Sequence, residues 1–297
     1  MNILITGGTG FIGTSLCAVL LHRGHHLTVY SRHPEQVAEL CGKPVLAVRL
    51  LDDLTTEDQF DAIINLAGEG IADARWTAAR KKQLLDSRIA TTEQLVDFIE
   101  RVRNKPKVLI SGSAVGFYGN QADTVLDENS PPHDDFAHRL CAQWEQAARG
   151  AEASGVRVCI LRTGLVIGSD GGFLQRMLPA FRFGLGGTLG DGRQWMSWIH
   201  KRDLLAIITL LLDDENLQGV FNGTAPAPVN NRDFTRCLAK LLHRPALLPV
   251  PAPVLKIMLG EMSELLLGGQ RVIPGRLLEM NFPFQFPTLE SALQDVL

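Results

Sequence analysis

The sequence predicts an α/β fold, a doubly wound parallel sheet with a smaller C-terminal substrate or cap lobe, and three observations carry that expectation. Short apolar, β-branched runs alternate with helically patterned stretches from Asn2 to Leu161. The first such run ends in three glycines spaced GxxGxxG, Gly7 to Gly13. Beyond Gly168 the alternation gives way to stretches rich in glycine, tryptophan and then proline. With 297 residues, 45% hydrophobic and 21% charged, the chain is long enough and apolar enough to bury a sizeable core.

The first unit reads strand, glycine turn, helix: Ile3 to Thr6, then Gly7 to Gly13, then Phe11, Ile12, Leu16, Val19 and Leu20 at helical spacing. Glycine turns also join strands to helices for structural reasons alone. In this order, however, a helix N-terminus offers unpaired N–H groups to a pyrophosphate and the glycines let the backbone approach it closely. Gly7, Thr9, Gly10, Phe11, Ile12 and Gly13 are therefore the expected cradle of a dinucleotide. His26 to Tyr30 is the second strand, closed by Ser31 and Arg32. In a Rossmann unit this strand end meets the adenosine ribose. An acid there would suit the two hydroxyls of NAD, whereas Ser31 and Arg32 offer donors and positive charge to a 2′-phosphate, which points to NADP(H).

Val45 to Leu50 reads as a third strand, with Asp52 or Asp53 near an adenine, and Asp61 to Gly68 as a buried strand ending in small residues. Leu66, Ala67 and Gly68 are expected along the cofactor. Trp76 to Val102 has helical periodicity; Arg80, Lys81 and Lys82 read as its solvated face, whereas Arg88 lies among residues that pack on the sheet. Lys107 to Ser111 is a strand running into the small-residue stretch Gly112 to Gly119, so Ser113 stands at a carboxyl end, where open α/β sheets bind ligands. Asp134 to Ala153 is a second long helix and Val156 to Leu161 the sixth strand, leading into Arg162 to Gly168.

Gly184 to Gly192 and Gln194 to His200 predict an irregular, aromatic-lined lobe. Leu204 to Leu212 and Val220 to Gly223 read as a last helix and strand returning to the sheet. Four prolines between 245 and 253, then an amphipathic Val254 to Leu267, read as a small helical cap. The expected division is residues 1–167 with 199–225 as the nucleotide-binding domain, and 168–198 with 226–297 as the C-terminal lobe.

A formal net charge of -3 with no Lys/Arg run predicts neither nucleic-acid binding nor attachment to an anionic membrane. No apolar run is long enough to span a bilayer, and the N-terminus enters a strand without a basic leader, so a cytoplasmic location is expected. Five cysteines, scattered and without CxxC spacing, predict reduced thiols and neither a disulfide framework nor a metal site.

Four ordered motifs, GGTGFIG at Gly7, NLAG at Asn65, SGSAVGFYG at Ser111 and WIHKRDL at Trp198, resemble the extended short-chain dehydrogenase/reductases, the group containing nucleotide-sugar epimerases. The segment Ala67 to Trp76, the triplet Asp86 to Arg88 and the C-terminal cap look more narrowly like the atypical epimerase-family proteins of the YfcH type. The resemblance covers essentially the whole chain. It implies a substrate pocket between a Rossmann domain that binds NAD(P) and a C-terminal lobe. Ser113 would bond the reacting oxygen of a small-molecule substrate, and Val166 would lie in the stretch passing the nicotinamide carboxamide. Arg88, where relatives of the epimerase group carry an asparagine, would reach the cofactor, while His200 and Asp203 would support the pocket.

The chain departs from the superfamily at the residues that move the proton. The superfamily uses a tyrosine and, four residues later, a lysine; the ammonium lowers the phenol pKa and holds the ribose. The only tyrosines here are Tyr30 and Tyr118, followed four residues on by Pro34 and Ala122. Aligning on Trp144 and Glu145 puts Ala137 at the tyrosine position and Cys141 at the ribose-facing lysine position. Substitutes within reach are Tyr118 with Ser113, or His138 with Cys141, which share a helix face; a surface histidine and a packing cysteine are the plainer reading of the second pair. Glu69, Arg75 and Trp76 either line a polar site or brace a lid. Two functions remain: an NADP(H)-dependent oxidoreductase or epimerase-like enzyme without the usual pair, or a non-catalytic NADP(H)-binding regulatory or scaffold protein. Relatives of this branch have been linked with cell division, which suggests a protein partner for the second. Substrate, reaction direction and oligomeric state carry no sequence signal.

Overall fold

The computed structural model describes residues 1–297. The chain opens with β1 (Asn2–Thr6), α1 (Gly13–His22), β2 (His26–Tyr30), α2 (Val37–Cys41), β3 (Leu46–Val48) and β4 (Ala62–Asn65). It continues through α3 (Ala78–Arg101), β5 (Val108–Ala114), β6 (Val125–Leu126), α4 (Phe136–Arg149), β7 (Arg157–Thr163), β8 (Leu165–Ile167) and α5 (Gly172–Arg182). Then come β9 (Trp195–Met196), β10 (Trp198–His200), α6 (Lys201–Asp213), β11 (Gly219–Gly223), β12 (Val229–Asn230) and α7 (Asn231–Leu242). The chain ends with α8 (Ala252–Leu259), α9 (Glu264–Leu267), β13 (Arg271–Val272), α10 (Gly275–Glu279) and α11 (Leu289–Val296).

Seven strands form one parallel sheet in the order β3-β2-β1-β4-β5-β7-β11. This is the doubly wound fold the alternation predicts. Successive strand residues face opposite sides, so Ile3 and Ile5 join Leu16, Leu20 and Ile208 on one face. Leu4 joins Ile63, Leu95 and Ile99 on the other. The chain leaves β1 toward β2 on one side and returns to β4 on the other, which opens a crevice at the carboxyl ends of β1 and β4. A third core, built from Leu174, Leu178, Trp198, Phe234, Leu238 and Leu293, lies in the C-terminal half.

Boundaries differ from the sequence reading where side chains cap or pack. α3 starts at Ala78 because Thr77 Oγ1 accepts the Arg80 N–H, while Trp76 turns inward to stack edge-on to Phe136 at 4.9 Å. Asp135 likewise caps α4 through the His138 N–H at 2.7 Å. β5 extends beyond Ser111 because it pairs with β7 along its whole length, a register that sets Ser113 beside Arg162. The expected helix from Val254 to Leu267 is broken at Gly260, whose φ of 60° stops α8. The aromatic stretch expected to be irregular forms β9 and β10, which pair with β12 and β8.

The segment from Trp198 to Leu204 ties down the C-terminus. Asp203 accepts the N–H groups of Gln285 and Phe286 at 2.8 and 3.0 Å. His200 is buried against the Phe286 ring, with centroids 3.7 Å apart, and faces Asp295 at 3.3 Å. Burial holds the His200 imidazole down at about 4.

Candidate functional site

At the end of β1 the chain turns through Gly7 at φ 70°, where a Cβ would stand 2.5 Å from the Leu66 carbonyl oxygen. At Gly13 a side chain would collide with the Gly7 carbonyl, so α1 lies directly against the turn. Gly10, by contrast, is exposed, and a Cβ there would meet only the Gly7 oxygen at 3.3 Å. No side chain therefore blocks a ligand's approach there, while the Gly10 N–H itself donates to the Gly7 carbonyl at 3.1 Å. α1 begins at Gly13 with no side chain capping it. Open glycine backbone and an uncapped helix start are what a pyrophosphate needs, and these residues fit a dinucleotide.

Neighbouring elements hold the cradle rigid. Thr6 Oγ1 donates to Asn65 Oδ1 at 2.6 Å, Asn65 Nδ2 donates to Thr92 Oγ1 at 2.8 Å, and Trp144 Nε1 donates to the same hydroxyl at 3.1 Å. These buried bonds join β1, β4, α3 and α4 behind Leu66, Ala67 and Gly68. Phe11 faces the turn after β8, where side chains at Gly168 or Gly171 would reach its ring at 2.8 or 2.7 Å. Lys201 lies 4.8 Å from that ring centroid. Val166, half-buried in β8 beside Ile199, is therefore on the same rim as Phe11.

Ser31 is buried and Arg32 is 77% exposed, at the end of β2. Arg32 Nη1 donates to Glu69 Oε1 at 2.8 Å. The second Glu69 oxygen stands 3.7 Å from Arg80 Nη1. Arg80 is not the solvated residue its helix position suggested: its side chain is mostly buried and donates through Nη2 to the Gly70 carbonyl at 2.7 Å. Arg88 Nη2 donates to the Glu69 carbonyl at 2.8 Å, and its guanidinium lies 5.3 Å from the Trp144 ring. Arg75 donates to the carbonyls of Ile257 and Met258 at the end of α8, each at 2.6 Å. Trp76 is buried, with Nε1 donating to the Ile71 carbonyl. Arg75 ties the segment after β4 to the end of α8, and Trp76 closes that segment on itself and packs on Phe136.

The other end of the crevice, at the end of β5, is built differently. Ser113 Oγ donates to Glu145 Oε1 at 2.7 Å, and Arg162 grips Glu145 through Nε at 2.8 Å and Nη2 at 2.9 Å. Arg162 Nη1 donates to the Tyr118 hydroxyl at 3.0 Å, which in turn donates to Asn222 Oδ1 at 2.8 Å. The guanidinium lies 3.3 Å from the Phe117 ring centroid. Glu145, Arg162 and Asn222 are buried and Tyr118 is fully enclosed. Burial pushes the Tyr118 phenol up, so it holds its proton inside the network.

On α4, Ala137 and Cys141 face Gly116, whose Cβ would lie 3.2 Å from the Ala137 methyl and 3.8 Å from Cys141 Sγ. Burial raises the Cys141 thiol to about 11, so it is neutral at physiological pH and supplies no charge where a lysine would stand. His138 Nδ1 lies 2.7 Å from the Phe117 carbonyl oxygen, which can only accept; in the neutral ring Nδ1 therefore carries the proton and Nε2 the lone pair. The structure thus places Cys141 beside Ser113 and Gly116 with Arg88 near it, and sets His138 against Phe117. Tyr118 points away into the sheet edge.

Sequence reasoning singled out Ser113 and Tyr118 but not the charges between them. The signal was present: Arg162 closes an apolar strand, and Glu145 follows Trp144 one turn beyond Cys141 on the sheet-facing side of α4. A charge at such a position demands a buried partner.

A profile described as the NAD dependent epimerase/dehydratase family matches residues 3–222, and a second, described as a domain of unknown function (DUF1731), matches residues 250–296. Epimerase family protein YfhF of Bacillus subtilis (strain 168) is 38% identical over 302 residues, covering 100% of this chain and 98% of the relative. Epimerase family protein SDR39U1 of Bos taurus is 40% identical over 304 residues, covering 100% of both chains. The crystal structure of human epimerase family protein SDR39U1 (isoform 2) with NADPH superposes with a TM-score of 0.91 at 37% identity, covering 100% of this chain and 99% of that one.

Proposed function

The chain belongs to the NAD dependent epimerase/dehydratase family, and from that premise we propose that it binds NADP(H) and carries out epimerase-like or oxidoreductase chemistry on a small molecule without a Tyr-Lys pair. One observation carries the cofactor reading: a formed dinucleotide cradle with an exposed arginine at the end of β2, in a chain 37% identical to a human relative crystallised with NADPH. Bound there, the nicotinamide supplies hydride donation or acceptance. The open backbone of Gly10 to Gly13 holds the pyrophosphate, and Arg32 holds the 2′-phosphate.

Ser113 gives its proton to Glu145, so its oxygen offers lone pairs to the crevice. A substrate there donates a hydrogen bond to Ser113, which favours a hydroxyl-bearing molecule over a carbonyl. The lone pair on His138 Nε2 accepts the proton that such a hydroxyl releases. Incubation with NADP⁺ and an alcohol panel, and with NADPH and a carbonyl panel, followed by nicotinamide absorbance, tests this. Turnover that falls about 100-fold in Ser113→Ala supports it. Turnover unaffected by both Ser113→Ala and His138→Gln refutes it.

A second reading, a non-catalytic NADP(H)-binding scaffold, draws on the closed Tyr118 and the neutral Cys141. It predicts tight cofactor binding, no turnover on either panel, and a protein captured only when NADP(H) is present. Partner capture independent of the cofactor contradicts it.

A further inference from the structure

Glu69 follows the cofactor-facing strand β4, yet its carboxylate reaches the arginine at the end of β2. In the sheet β1 lies between these two strands, so the Arg32–Glu69 bond passes over the strand end that carries the glycine turn. The gap it crosses is two strand spacings, about 10 Å. The backbone of Glu69 cannot follow its side chain elsewhere: its N–H donates to Ser87 Oγ at 3.2 Å and its carbonyl accepts from Arg88 at 2.8 Å. Arg80 is equally fixed, by the Gly70 carbonyl, and stands 3.7 Å from the free carboxylate oxygen. The carboxylate thus has two cationic partners, one exposed at the end of β2, the other mostly buried and bonded to the Gly70 carbonyl.

We propose that Glu69 competes with the 2′-phosphate of NADP(H) for Arg32, holding Arg32 in the unliganded protein and releasing it toward the phosphate while its own charge turns to Arg80. The inference rests on Arg32 as the phosphate-binding residue. An ion pair as exposed as Arg32–Glu69 is weak, and a guanidinium gains more from the bidentate oxygens of a dianion. Exchange is therefore favourable. It is not free, because Glu69 keeps its negative charge near the incoming phosphate. For NAD(H), which lacks the 2′-phosphate, Arg32 keeps its carboxylate and no guanidinium is left unpaired. Glu69 consequently narrows the preference that Arg32 creates.

Calorimetric titration of the wild type, Glu69→Gln and Arg32→Gln tests this, with NADPH, NADH, adenosine 2′,5′-bisphosphate and 5′-AMP as ligands. Glu69→Gln is expected to tighten NADPH and the bisphosphate about three- to tenfold, a change of the size one exposed charge produces, and to leave NADH and 5′-AMP within about twofold. Arg32→Gln is expected to weaken only the two 2′-phosphorylated ligands. If Arg32→Gln weakens them while Glu69→Gln leaves them unchanged or weaker, the competitor role is wrong and the arginine reading stands. If Arg32→Gln has no effect on them, both fall. Melting curves without ligand establish that each variant is folded; for a Glu69→Gln protein that is not, Glu69→Ala carries the same expected direction.

Discussion

The two ends of the crevice solve opposite problems with similar materials. Around the glycine turn the backbone is left open: Gly10 is exposed, α1 starts uncapped, and Arg32 holds only a surface ion pair. Around the end of β5 every polar group of the network is already paired: Ser113 with Glu145, Glu145 with Arg162, Arg162 with Tyr118, and Tyr118 with Asn222. Open donors await a ligand, whereas closed ones hold a shape.

The sharpest way to break this contrast is to open the closed end. Glu145→Ala leaves the Arg162 guanidinium buried and unpaired, which should cost about 3–5 kcal/mol and lower the melting temperature by roughly 10 °C. The double replacement Glu145→Met with Arg162→Met should recover most of that loss in the same melting experiment. A single variant that melts with the wild type would mean that the network is not one buried unit. Closing the open end is the converse. Gly13→Ala drives a methyl group into the Gly7 carbonyl and should weaken NADPH binding by about 100-fold, measured by nicotinamide fluorescence.

A third region, the C-terminal strap on His200, calibrates the other two through a group that lies outside both networks, the buried His200 ring packed on Phe286. Its imidazole is held at about 4 against an unperturbed 6.5, so the fold favours the neutral ring. That contribution is complete above pH 6.5 and shrinks as the pH falls toward 4. Asp203, whose carboxyl burial pushes up, works in the opposite direction, and Asp295, Lys201 and Arg202 also face the ring. The melting temperature should therefore drop by a few degrees more between pH 7 and pH 5 in the wild type than in His200→Gln. The smallest effect belongs to Tyr118→Phe, which removes one hydroxyl from the network. About 1 kcal/mol of stability should be lost with NADPH affinity unchanged; a weakened cofactor would mean that the two ends are coupled.

Much of the molecule was legible in its residues. Alternating apolar runs reflect burial on both sheet faces, and three glycines between an apolar run and a helical pattern mark a tight strand-to-helix turn, so the fold and that turn could be read from pattern alone. Arg80 could not, because the carbonyl that turns it inward, Gly70, belongs to a loop whose path depends on Arg88 and Ser87. Nor could the pairing of Ser113 with Glu145, which depends on α4 lying across β5. The extension of β5 past Ser111 followed from its neighbour β7, a tertiary fact that local propensity does not contain.

Recognition of NADP(H) by the open end through Arg32, independently of the closed end, is tested most directly by titrating the wild type and Arg32→Asp with NADPH and with NADH. NADPH should bind at least about tenfold tighter than NADH in the wild type, with that preference abolished in the variant and NADH little changed. Equal affinities in the wild type, or an equal loss for both cofactors in Arg32→Asp, would contradict it.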